Sequence, residues 1–427
     1  MNLTYTQLLK SNRNFRNLFV GQLISELGNW FNYIAGIGLI RMVSNAAPEA
    51  AGFFLLCRTL PWAVLMPFAG TFADRFSRRQ LMIWTDILRG GLALVFLLVK
   101  APSDLWIAYL GSVVLSSASA FFDGAKNAAV PNISGKNGLL SGMALIMSSR
   151  FLLMAVGSAL GGIASAYFGY EVAFIINAVS FFASAISIWL IPDDAMRENE
   201  TVRREKESFF TELKEGMRYT AKNRFALTIL LMNIIWATGG GATFLVFEGL
   251  ASKVFANVNQ SADFVVAFLM TANGIGLTIG MFIAHRVGSF VERRGIEKSF
   301  IGWALLAHGV LFAIGGLMPN VWLVALFMIL SRIVVGAEFA VQETLFQRSL
   351  PDYIRGRITT LDRGAEITIF SFSSYLAGVS LGFISAQLLT VISGLLSAGS
   401  GAVWFLRQKE EGEKVRRSED ELQSCET

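Results

Sequence analysis

Along these 427 residues, apolar and polar positions segregate into long blocks rather than alternating at the period of a strand. Runs of about 20 apolar residues recur from one end to the other, each long enough to cross a bilayer as a helix. Read between their polar breaks, the runs predict helices over 17–41, 51–73, 80–99, 105–124, 140–166 and 171–191, then over 225–249, 263–287, 299–317, 320–341, 359–381 and 385–406. Between the two sets lies Pro192 to Arg224, charged but nearly balanced in sign. Within it, Phe209 to Met217 carries apolar residues at helical spacing, which predicts a surface helix. The pattern describes an all-α membrane protein of twelve transmembrane helices in two six-helix bundles. The first bundle is expected over 1–191 and the second over 225–406, with a linker over 192–224 and a polar tail over 407–427.

Composition supports this picture. Apolar residues make up 54% of the chain and charged residues 16%, against about a quarter charged in soluble domains. No small-residue cleavage site attends the first apolar run, so it is expected to remain as a helix rather than leave with a signal peptide. Cys57 sits in an apolar run and Cys425 in the tail, so no disulfide framework is expected. The net charge of +5 reads as membrane orientation. Lys10, Arg13, Arg16, Arg75, Arg78, Arg79, Lys136, Arg293, Arg294, Lys298, Arg355 and Arg357 fall on one side of the membrane in this count. The other side receives little beyond Arg41, Lys100 and Lys253, which places both termini in the cytoplasm. No basic patch interleaved with aromatics lies outside these loops, so nucleic acid is not an expected partner.

The halves echo one another. Gly288-Ser289-Phe290-Val291-Glu292-Arg293 follows Gly70-Thr71-Phe72-Ala73-Asp74-Arg75 at an offset of 218 residues. Asp123 through Pro131-Asn132 aligns with Glu343 through Pro351-Asp352 at 220, and Gly157 to Gly161 with Gly378 to Gly382 at 221. Two similar halves across a long linker are a parallel-repeat plan of transporters. The stretch Gly70-Thr71-Phe72-Ala73-Asp74-Arg75-Phe76-Ser77-Arg78-Arg79 also resembles the loop motif G-x-x-x-D-R-x-G-R-R of the major facilitator superfamily, with Ser77 in place of the usual Gly. Leu60-Pro61, Pro67-Phe68-Ala69-Gly70, Asp86-Ile87-Leu88-Arg89 and Phe346 to Arg357 are similar to its bacterial efflux-type members, the group that includes macrolide and siderophore exporters. The resemblance spans roughly Gly21 to Arg407.

Ionisable groups inside spans are the first functional candidates, because each costs about 2.5–3.5 kcal/mol at a helix centre. Glu26 sits near the middle of the first span, and Asn29 and Tyr33 share its helical face, with Asn32 beside them. The resemblance implies that the first, fourth, seventh and tenth spans line a central cavity, where Glu26 could exchange a proton. Related exporters often carry Asp where Asn29 stands. Arg58, Arg150 and Arg332 are candidates to pair with Glu26 or to bind an anionic substrate group, with Arg332 and Glu338 alternatively forming an ion pair. Asn233 and Trp236 lie about as deep in the seventh span as Glu26 and Asn29 do in the first, suggesting a shared site. The resemblance further implies a charge latch that closes the cytoplasmic side. It assigns Gly70, Asp74, Arg75, Arg78 and Arg79 to that switch, with Glu366 at the start of the eleventh span, while Asp86 and Arg89, three residues apart, are expected to pair with each other or to brace the same loop. The pairs Gly157/Gly161, Gly276/Gly280 and Gly378/Gly382 have small-x-x-x-small spacing, expected to smooth the contact between the two bundles. His308 reads as a packing histidine.

No Walker loop is present, and neither a metal-ligand cluster nor a nucleophile paired with a base stands out, so no cofactor, metal site or enzymatic activity is expected. The resemblance implies a secondary transporter of the cell membrane, monomeric among membrane lipids. Its expected work is proton-coupled export of amphipathic or drug-like small molecules. A siderophore exporter or lysophospholipid translocator of the same fold is the alternative.

Overall fold

The computed structural model describes residues 3–73, 76–196, 209–255 and 261–425. Its regular structure is all-helical: α1 (Tyr5–Ser11), α2 (Arg13–Val43), α3 (Pro48–Ala73), α4 (Arg78–Val95), α5 (Leu105–Phe168), α6 (Tyr170–Trp189) and α7 (Phe209–Lys222), then α8 (Arg224–Gly240), α9 (Thr243–Gly249), α10 (Ala262–Arg294), α11 (Glu297–Gly316), α12 (Val321–Ser349), α13 (Asp352–Ser380) and α14 (Ala386–Cys425). Polar residues start these helices where the sequence leaves a membrane-length run. Asn12, Ser77, Asn223, Ser261 and Asn320 each cap a helix by accepting a hydrogen bond from a backbone N–H three residues on. The expected fourth and fifth spans form a single long helix, α5, broken only at Gly135, where φ is +65°. Only glycine adopts that left-handed conformation without steric cost. The polar turn expected after residue 124 is therefore helical as far as this break.

Among the described residues, ten helices or helix segments are long and apolar enough to cross a membrane. The shortfall from the expected twelve falls on α2 and α13, which have 31 and 29 residues but carry a polar stripe that lowers their hydropathy. Among the described residues of the linker, the expected surface helix is α7, and its Glu215 pairs with Arg357 on α13.

Helices α2 to α6 pack on one another, as do α8 and α10 to α14; α3 against α13 and α5 against α10 join the two groups. The apolar packing explains how. At the end of the molecule opposite the termini, one continuous core runs from Ile34, Phe54 and Phe174 of the first group to Phe247, Val266 and Val324 of the second. At the terminal end the core is divided. Leu8, Phe15, Met82 and Ile188 form one cluster, and Ile229, Val341, Phe346 and Trp404 form another. The halves are thus sealed at the far end and separately packed at the near end. Outward-facing side chains are apolar, including Trp84, Trp106, Trp189, Phe282 and Phe383. That surface suits lipid and makes this a multi-pass integral membrane protein.

The glycine pairs serve a different contact from the one expected. A Cβ on Gly157 would lie 2.6 Å from Trp30, and one on Gly161 would lie 3.0 Å from the Phe31 backbone, so both face α2 within their own half. Gly276 and Gly280 likewise face α12. The approach of α5 to α10 uses neighbouring positions, Gly162 against Ala267 and Gly274 against Ala155. Of the six glycines expected at the contact between the bundles, Gly378 alone lies across the halves: a Cβ there would lie 2.8 Å from the Gly52 Cα of α3.

Candidate functional site

The far end is held shut by charge. Arg41 at the end of α2 pairs with Glu248 of α9 at 2.8 Å and also with Asp263 of α10, which accepts a 2.8 Å hydrogen bond from the Tyr170 hydroxyl of α6. Two residues of the first half thereby grip two of the second. Lys253 donates to the Leu381 carbonyl and Lys100 pairs with Glu171 at 3.1 Å, so all three basic residues expected on the sparse side lie at this end with partners.

Between this lock and the split end, polar side chains of both halves line the centre. In the first half, Arg58 donates to the Asn32 side chain at 2.7 Å and to the Asn29 carbonyl at 3.3 Å, and lies over the Tyr33 ring. Glu26 is half-buried one turn away, within electrostatic reach of Arg58 and Arg150. Among the described residues it forms no direct ion pair, so its carboxylate stands between two guanidiniums without being bound to either. Arg150 also faces Asp123, which pairs with Lys126 at 2.6 Å and accepts from the Trp62 indole at 2.9 Å. Asp123 falls at the end of the predicted fourth span and Lys126 beyond it, on the extension of α5 that the hydropathy pattern assigned to a loop.

In the second half, Asn233 donates to Asp362 at 2.8 Å and accepts from Gln342 at 3.0 Å, tying α8, α13 and α12 together. Trp236 is half-buried one turn along α8. Arg363 binds Glu343 at 2.6 Å and Glu366 at 2.8 Å, and its guanidinium stacks over Phe339. Arg332 and Glu338 do not meet. Six residues apart, they sit on different faces of α12. Arg332 donates to Thr243 at 2.9 Å and lies over Phe312, while Glu338 faces Glu366 and Arg363. His308 packs against Ser331, its Nδ1 lying 2.7 Å from the hydroxyl.

The residues expected to switch conformation occupy several environments. Gly70 lies in the last turns of α3, and Asp74 and Arg75 lie outside the described residues. Arg78 donates to the carbonyls of Ala128 and Met196, and Arg79 to that of Trp189, all in the first half. Asp86 and Arg89 pair with each other, 0% and 3% exposed, with the guanidinium between the Phe122 and Phe181 rings. Glu366 is held by Arg363 of its own helix.

Sequence reasoning named Asp123 and Glu343 only as markers of the repeat and passed over Lys126, Gln342 and Asp362. The repeat itself held the signal, because its aligned carboxylates each anchor a polar network in their half.

Two paired helical halves, sealed at one end around a polar centre, define a membrane transporter of the major facilitator kind rather than an enzyme. The chain belongs to the family MFS_3, described as a transmembrane secretion effector, which matches residues 8–413. It is 25% identical over 403 residues to the MFS-type transporter YfiS of Bacillus subtilis (strain 168), covering 91% of this chain and 94% of that one. It is 26% identical over 218 residues to YfmI of the same organism, about half of each chain. Among solved structures it shares the fold of a bacterial homologue of the iron transporter ferroportin in an inward-facing state (TM-score 0.70, 16% identity, 92% of this chain and 98% of that one). The nucleoside transporter NupG (0.68, 14%, 93% and 99%) and an inward-facing, occupied bacterial homologue of Spinster (0.71, 13%, 92% and 96%) share it too.

Proposed function

We propose that this protein is a secondary active exporter that works by alternating access, moving amphipathic or drug-like small molecules outward as protons enter. The family description speaks of secretion, which supports the outward direction. The reading includes twelve crossings, counting α2 and α13, whose lengths suffice and whose polar stripes face the centre instead of lipid. The bundles are 1–191 and 225–406, the linker 192–224 and tail 407–427 are cytoplasmic, and both termini lie inside. The excess of Lys and Arg at the terminal end supports that orientation. On it, a lock at the far end and divided cores at the near end describe the inward-facing state.

Glu26 carries the proposal: a half-buried carboxylate on a central helix, in the field of Arg58 and Arg150 yet bonded to neither. It can accept a proton from one side and release it to the other without breaking an ion pair. A proton falling through 100 mV supplies about 2.3 kcal/mol, enough to drive uphill export when coupled. Asn29, Asn32, Arg58, Arg150, Asn233 and Trp236 line the path and contact substrate, with Glu338 behind them, while Arg332 braces α12. Gly70, Asp74, Arg75, Arg78, Arg79, Asp86, Arg89 and Glu366 serve the conformational switch. The transporter acts as a monomer in the cell membrane, with lipids as its surroundings. A siderophore exporter or lysophospholipid translocator is the second reading. It is favoured by the basic excess of the first-half network, where Arg58, Arg150 and Lys126 outnumber Glu26 and Asp123.

The test is accumulation of a cationic dye by inside-out vesicles, with the proton gradient intact and collapsed. Accumulation that disappears on collapse and in Glu26→Gln is expected. Folded protein that accumulates no dye would refute multidrug export and favour the anionic or lysolipid cargo.

A further inference from the structure

We infer that the α12–α13 face holds a second proton-binding site, built from Glu338, Glu343, Asp362 and Glu366 around Arg363. Two observations made independently lead to it. The first is a charge imbalance: four carboxylates from two helices converge on one guanidinium, and Arg363 binds only two of them directly, Glu343 at 2.6 Å and Glu366 at 2.8 Å. Glu338 and Asp362 lie within electrostatic reach of both Glu366 and Arg363. The second is that the two carboxylates without a cationic partner are also the buried ones. Glu338 is 2% exposed and its Oε1 has no hydrogen-bond partner; Asp362 is 3% exposed and its Oδ1 has none either.

The groups facing this pair from neighbouring elements leave few alternatives to a proton. From α8 comes Asn233, a neutral amide whose N–H₂ already serves Asp362 Oδ2. From α12 come Gln342 and Glu343, the latter also accepting from Gln347 at 2.7 Å. From α13 come Arg363 and Glu366 themselves. Excess negative charge enclosed by helices is costly unless it is neutralised. Transfer of a proton from water to a free oxygen of Glu338 or Asp362 forms one O–H bond, releases hydroxide to the bulk and turns a bare acceptor into a donor toward a neighbouring carboxylate. Because Asp362 is tied through Asn233 to α8 and Gln342, its protonation state bears on the packing of α8, α12 and α13 together. The site is thus placed to report proton loading to the second half, as Glu26 does to the first.

This inference rests on the proton-coupled reading, but its test separates the two. Infrared difference spectra of the detergent-purified full chain, between acid and alkaline buffer, read the protonated-carboxyl band directly. A protonated-carboxyl band is expected in the wild type and in Glu26→Gln that is reduced in Glu338→Gln and in Asp362→Asn and falls to the level of the protein's remaining carboxyls in the double variant. Dicyclohexylcarbodiimide, which modifies protonated carboxyls in apolar surroundings, should label Glu338 or Asp362 in the unmodified protein, mapped by mass spectrometry. That readout needs no variant to fold. A band undiminished in the double variant, wild-type protein labelled at neither residue, or a band displaced by saturating sodium would overturn the proposal. Gradient-driven dye accumulation alongside a missing band would refute this site and leave Glu26 standing. A persistent band in vesicles whose transport ignores the gradient would uphold the site and refute the coupling.

Discussion

Arg41→Gln should tip the transporter toward the state open at the far end. In the present state Arg41 pairs with two carboxylates, Glu248 and Asp263, whose side chains are 6% and 18% exposed. Removing one partner of a buried ion pair costs about 3–5 kcal/mol, because the other charge is left without compensation. Partial exposure of all three side chains brings the expected cost to about 2–3 kcal/mol. The whole of it falls on the closed state, since opening hydrates both carboxylates. At about 1.4 kcal/mol per tenfold, the ratio of closed to open should drop by roughly 30- to 150-fold. Spin labels on Ser103→Cys and Asn320→Cys, in protein whose Cys57 and Cys425 are replaced by Ser, would read the separation across that mouth by pulsed electron resonance. A longer-distance population should grow in Arg41→Gln and grow less in Arg41→Lys, which keeps the charge but not the two-pronged grip. Identical distance distributions in Arg41→Gln and wild type would refute the claim that this lock sets the resting state.

Gly378→Val places a branched side chain where even a Cβ would stand 2.8 Å from Gly52 Cα, so it should abolish dye transport and widen the same spin-label distance while the protein still reaches the membrane. Asp86→Leu should lower the melting temperature in detergent by an amount equivalent to about 3–5 kcal/mol, and the double substitution Asp86→Leu with Arg89→Leu should recover most of it. Recovery would mark the pair as packing, and dye transport by the double variant would show whether the switch needs its charges. His308→Ala should reduce thermal stability with transport retained, since Ser331 keeps its 2.9 Å bond to the residue 308 carbonyl.

Much of this architecture was legible because a chain in lipid must satisfy its backbone within each helix, which forces long apolar runs between polar breaks. Asp86 with Arg89 was readable for a local reason: three residues apart on one helix, they face each other. Helical phase was the harder quantity. Gly157 and Gly162 differ by five positions, yet one meets α2 and the other α10, a choice that spacing alone does not make. The lock was hidden for another reason: Arg41 lies 207 and 222 residues from its partners, and each of the three reads singly as an ordinary helix-end charge. The Asp123–Lys126 pair was missed because the predicted fourth span stops at residue 124 and leaves Lys126 in an expected loop, whereas α5 continues through it to Gly135.

The division of the core into one shared cluster and two private ones sorts the effects of inherited variation. A cavity opened beneath Trp404 or Phe15 weakens one half alone, so it should show itself as less protein in the membrane with unaltered turnover per molecule. A cavity at Phe54 or Phe247 weakens the seam that must part and reseal in every cycle, so its carriers would have normal abundance and altered kinetics. Two classes of defect, one of quantity and one of tempo, are therefore written at opposite ends of the same helices.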